Sequence, residues 1–135
     1  MDQRQLLSAY LLDASIFVSA ALLGIEAIRS RKIRDVLLAE NTILELSAVS
    51  LTEICIKHAI GKLDMAPELL REAIQDLRVN VTPYTAKHAF GFAQLPAVHG
   101  DPFDRMILAT ALAERIPVLT SDRTLLKYKG CEVIG

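Results

Sequence analysis

Short apolar runs alternate with helical segments along nearly the whole chain, and this alternation constrains the fold more than any other feature. "SAYLLDA" (8–14) reads as a strand ending in an acid, and "IFVSAALL" follows with no breaker, apolar on all sides like a helix buried on more than one face. In 25–40, Ile25, Ile28, Ile33, Val36 and Leu37 fall near a 3.6-residue period with charges opposite, which predicts one surface helix. Asn41 separates it from a second strand, 42–49, and 50–63 turns helical with Gly61 near its end. Pro67 opens another amphipathic helix, 78–84 alternates as a strand, and 85–95 is a weaker helix. A helix over 101–115, a buried strand over 116–122, a short helix and the final "CEVIG" strand complete the chain. The order β-α-α-β-α-α-β-α-α-β-α-β predicts an α/β fold, a three-layer α/β/α sandwich with a mostly parallel central sheet.

At 135 residues, 52% of them apolar and 23% charged, the chain reads as a single domain over 1–135, with 1–9 as a flexible N-terminal extension. The longest apolar runs, such as 16–25, are about half of the roughly 20 residues that span a bilayer, so no membrane segment is expected. "MDQRQLLSAY" lacks the pattern of a secretory signal, and a cytoplasmic protein is the expectation. Cys55 and Cys131 lie in apolar patterns and read as small buried residues. His58, His88 and His99 share no zinc-type spacing.

Acids stand at the joints. Asp13 follows the first strand, Glu53 lies early in the third helix, Asp101 and Asp104 open the sixth, and Asp122 follows the fourth strand. Each has a local explanation: Asp13 or Ser15 as a cap, "SLTE" (50–53) as a capping box, Asp101 before Pro102 as an N-cap, and Asp104 and Asp122 as first-turn acids. In a parallel α/β sheet, however, strand C-termini and the following helix N-termini share one edge, where such folds bind ligands. Asp13, Glu53, Asp104 and Asp122 all fall at that edge.

Two unit charges about 4 Å apart repel by roughly 4 kcal/mol at an effective dielectric of 20, several times what a cap contributes. Protonation of one acid offsets this; so does a hard cation. Oxygen-only donors suit Mg²⁺ or Mn²⁺, which polarise a phosphodiester and acidify a bound water. Without these four acids the chain has 12 acidic against 15 basic side chains, a balance of +3 that suits a polyanionic substrate.

"LLDASIFVSAALLG", "LSAVSLTEICIKHAIGKL", "HGDPFDRMILATALAERIPVLTSD" and the final "VIG" resemble, in that order, PIN-domain ribonucleases of the VapC toxin type, over nearly the whole chain from about residue 10. The resemblance implies a Mg²⁺- or Mn²⁺-dependent endoribonuclease with Asp13, Glu53, Asp104 and Asp122 as catalytic and metal-binding acids. It assigns Ser15 and Thr120 as hydroxyls that orient carboxylates, and leaves Asp101 as the helix cap with a supporting place beside the metal. Lys57 and Lys62 match the family pattern, and Lys57, four residues after Glu53, can pair with that acid or reach a phosphate. Arg105 and Arg123 adjoin the acids and are candidate RNA contacts. Without aromatic interleaving, base stacking is not expected. "LLDAS" and "SLTE" depart from the commoner "LLDTH" and "SLWE" without touching the acids.

The resemblance also implies a toxin held inactive by an antitoxin, and a homodimer. "IFVSAALLGIEAI" is a candidate dimer face or antitoxin groove, with core burial as the alternative. Two other readings differ in class. A phosphate-responsive receiver module would need adjacent acids after the first strand and an Asp after the third, and neither is present. A catalytically silent PIN-like binding protein would need a lost acid, and none is missing.

Overall fold

The computed structural model describes residues 7–96, 100–128 and 130–135. Most of the expected extension, and His99, lie outside the described residues. Within the described residues five strands, β1 (Ser8–Leu12), β2 (Thr42–Ser47), β3 (Val79–Thr82), β4 (Val118–Leu119) and β5 (Val133–Ile134), form one all-parallel sheet in the order β3-β2-β1-β4-β5. Among the described residues seven α-helices surround it: α1 (Ala14–Leu23), α2 (Arg31–Leu38), α3 (Ala48–Ala59), α4 (Pro67–Asp76), α5 (Ala86–Phe92), α6 (Pro102–Glu114) and α7 (Arg123–Leu126). The expected α/β sandwich and element order are therefore observed.

Strand periodicity builds the two helix layers. Leu12, Leu44, Leu46 and Leu119 pack with Phe17, Ile33, Leu70 and Ala73 on one side. Leu11 and Val118, their neighbours in sequence, turn to the other side and pack with Ile107 and Ala111 of α6. A third cluster, with Leu95, Leu108 and Leu125, joins α6 to α7. No helix among the described residues is long and apolar enough to cross a membrane.

The strand order sets the position of the site. From β1 the chain builds outward through β2 to β3, then returns across to β4 on the opposite side of β1 and continues to β5. The order reverses between β1 and β4, and the crevice at the carboxyl ends of two such strands is where open α/β sheets receive ligands. Asp13 follows β1 and Asp122 follows β4.

Four local expectations are corrected. The single helix over 25–40 is split: Gly24, at φ 91°, ends α1, a 3₁₀ turn covers Ile25–Ala27, and Ser30 caps α2 by accepting the Ile33 N–H. Arg34 then donates to the carbonyls of Ile28 and Arg29, which secures the break. The "SLTE" capping box does not form. Helix α3 begins directly after β2, so Ser47 is its cap, accepting the Val49 N–H at 3.0 Å, and Ser50 is drawn into the helix and buried. Cys55 is exposed, because the buried side of α3 is taken by Val49, Ser50 and Ile54; Cys131 is half-buried. Finally, α1 buries Ala14, Ile16, Phe17 and Ala20 but leaves Leu22 and Leu23 exposed at its end, so it is covered on fewer sides than its sequence suggests.

Candidate metal centre

Asp13 is the most constrained of the acids. Its backbone N–H continues the sheet by donating to Leu119 O at 2.9 Å, which ties the end of β1 to β4. The residue is 7% exposed, and its side chain makes no cap bond to α1. Instead Oδ2 accepts from the Thr120 hydroxyl at 2.6 Å and from the Ser15 hydroxyl at 3.2 Å. Thr120 is fully buried and also accepts the Asp122 N–H at 3.0 Å, so one hydroxyl joins the two strand ends on either side of the switch point. Both hydroxyls therefore act on Asp13, although sequence proximity pairs Thr120 with Asp122.

Asp101 and Asp122 are caps as well as acids of the cluster. Asp101 Oδ1 accepts the Phe103 N–H at 2.8 Å at the start of α6, and Asp122 Oδ1 accepts the Thr124 N–H at 2.8 Å at the start of α7. Asp104 lies in the first turn of α6. Burial, followed by the charges of Asp13, Asp101, Asp122 and Glu53, pushes its carboxyl up to about 7. The sign and the causes matter here: each acid singled out in the sequence is near enough to disfavour the charge on Asp104.

Glu53 is tied locally. Its Oε2 lies 3.2 Å from Lys57 Nζ across one turn of α3. Lys57, Lys62, Glu53 and Ser15 line one cleft beside α1. Arg105 lies with its guanidinium 4.8 Å from the centre of the Phe92 ring, next to Asp104 and Asp122 in a second cleft. Arg123 lines a third, together with Thr120 and Arg29. Arg29 was not singled out in the sequence; the basic run "RSRK" was the available signal, absorbed into the polar face of the expected long helix.

His88 serves the framework. It is buried, with Nδ1 accepting the Thr85 N–H at 3.0 Å at the start of α5, so Nε2 carries the proton and donates to Glu114 Oε2 at 3.2 Å.

Among the described residues no group of three or more aspartate, glutamate, histidine or cysteine side chains is drawn together closely enough to hold a metal ion. The donors at the switch point are carboxylates and hydroxyls only, and Asp104 stands where positive charge is favoured. That chemistry fits a hard divalent cation, which keeps several waters and engages such donors partly through them.

The PIN domain family model matches residues 10–130. Among solved structures, the chain is similar to one described as VapBC2 from Rickettsia felis bound to a DNA fragment from their promoter, with a TM-score of 0.69 and 20% identity over 93% of this chain and 96% of that one. DNA-bound VapBC from Salmonella typhimurium gives 0.68 and 19% with the same coverage, and FitAcB from Neisseria gonorrhoeae 0.60 and 20%, again over 93% and 96%. No curated protein matches the sequence.

Proposed function

This chain belongs to the PIN-domain family, and from that premise we propose that it is a Mg²⁺- or Mn²⁺-dependent endoribonuclease, the toxin of a toxin–antitoxin pair. The observation that carries the reading is the acid row at the switch point, where Asp13, Asp101, Asp122 and Glu53 act together on the half-buried Asp104. Asp13, Glu53, Asp104 and Asp122 would hold the cation, with Asp101 at its margin. When bound, the ion would polarise a phosphodiester and lower the pKa of an attacking water.

The chain's own residues account for the rest. Thr120 and Ser15 fix the Asp13 carboxylate, so it needs little reorganisation when charge develops nearby. Burial and the neighbouring acids disfavour the charge on Asp104, and a bound cation would offset that repulsion. Lys57, Lys62, Arg105 and Arg123 surround the acids with cations suited to flanking phosphates. An antitoxin partner is supported by the toxin–antitoxin complexes among the similar structures, and a homodimer by the family resemblance.

Purified protein incubated with single-stranded RNA tests the proposal. Cleavage that requires Mg²⁺ or Mn²⁺, and that falls at least about 100-fold in Asp104→Asn, is expected. Cleavage unaffected by a chelator, or an Asp104→Asn enzyme as active as the wild type, overturns it.

A further inference from the structure

Two clefts meet on the surface of α1. One holds Ser15, Lys57 and Lys62 beside Glu53. The other, about 570 Å³, holds Arg29, Ser30, Thr120, Ser121 and Arg123. Ser19 lines both, one helical turn from Ser15 on the same face. Thr120, whose hydroxyl holds Asp13, also lines the second cleft. Through Thr120 that cleft adjoins the acids, and its lining comes from α1, the turn before α2, α2 itself and the segment from Thr120 into α7.

Its two cations come from different segments of the chain. Arg29 projects from the turn whose carbonyls, at Ile28 and Arg29 itself, accept from Arg34. Arg123 is the first residue of α7, directly after the capping Asp122. None of the side chains lining the cleft carries a carboxylate, and Gly135 lines it as well. A polyanion is repelled by the acid row unless fixed cations receive it on the flanks. Guanidinium groups and hydroxyls are the donors that phosphate oxygens take best.

We propose that this cleft is the subsite for the RNA backbone on one side of the scissile bond, with Arg29 and Arg123 as its paired phosphate contacts and Ser19 as the hydroxyl that continues the path toward Lys57 and Lys62. The inference rests on the nuclease reading and adds to it a direction: the backbone crosses α1, passing the Asp13 carboxylate. Its occupant is single-stranded nucleic acid, because the lining side chains offer guanidinium and hydroxyl donors for phosphates and no carboxylate for a basic peptide.

Binding of a short labelled single-stranded oligoribonucleotide is measured in the Asp104→Asn background across a salt series, and cleavage in the otherwise unchanged protein. Arg29→Glu and Arg123→Glu are each expected to weaken binding about tenfold at low salt and to flatten the slope of log affinity against log salt by about one phosphate contact's worth. Arg71→Glu on α4 makes the same charge change at an exposed position outside the cleft and leaves affinity, slope and cleavage unchanged. Circular dichroism verifies that each variant is folded, and Arg29→Gln repeats the test without charge reversal. Arg29 and Arg123 variants that bind like Arg71→Glu, in a protein whose Mg²⁺-dependent cleavage is lost in Asp104→Asn, overturn the subsite and leave the nuclease standing. Absence of RNA binding and cleavage in every form, wild type included, overturns both.

Discussion

At the scale of single residues, the pair Asp101 and Asp104 shows what local chemistry decides and what it leaves open. Pro102 fixes the first helical position, so Asp101 was legible in the sequence as the cap it is in the structure. The environment of Asp104 was not legible, because it is set by acids on three other segments. Burial and those acids raise its folded pKa from 3.8 to about 7, so the folded state holds this proton more tightly than the unfolded chain. Protons bound by the native state in excess mean that stability falls as pH rises between those two values. The group is partly exposed, so only a fraction of the shift is realised as stability. In a chelator, Asp104→Asn should therefore leave the unfolding free energy nearly unchanged at pH 4 and raise it by about 1–2 kcal/mol at pH 8. Urea melts at the two pH values measure this. A variant equally stabilised at both would show that Asp104 carries no unfavourable charge.

At the scale of elements, existence and type were readable and boundaries were not. Periodicity identifies α2, but its start depends on Gly24 leaving the allowed region of other residues and on Arg34 reaching back to two carbonyls, which spacing alone does not show. The cap of α3 lies three residues before the serine that the sequence pattern selects, because two serines compete for it and the end of β2 decides between them. The consequence for stability is unequal. Ser47 accepts a helix N–H, whereas the Ser50 hydroxyl is buried without a hydrogen-bond partner. Ser47→Ala should cost about 1 kcal/mol. Ser50→Ala should be neutral or stabilising by up to about 1 kcal/mol, since it removes an unsatisfied buried oxygen. Chemical denaturation of the two variants separates them; a larger loss at Ser50 would mean that it, and not Ser47, is the cap.

At the scale of the whole molecule, the sequence carried the layer architecture but not the strand order. Alternating segments imply a parallel sheet wherever they occur, yet the pairing of Leu11–Leu12 with Val118–Leu119 joins positions more than 100 residues apart, and no local pattern encodes it. That pairing creates the switch point, and Thr120 secures it. Its hydroxyl is fully buried, donates to Asp13 after β1 and accepts from Asp122 after β4, so it joins the two halves of the sheet where the acids meet. A hydrogen bond to a charged group contributes about 1.5–3 kcal/mol, and a buried one exceeds an exposed one. Thr120→Val keeps the shape and deletes both bonds, so it should lower the unfolding free energy by about 2 kcal/mol, while Ser15→Ala, at an exposed position and a longer 3.2 Å, should cost less than about 1 kcal/mol. Because one of the two bonds ends on the Asp13 side chain, a double-mutant cycle with Asp13→Ala should recover that bond's share of the Thr120 loss as coupling energy. Additive losses, or equal costs at Ser15 and Thr120, would place the link between the two halves elsewhere than in this hydroxyl.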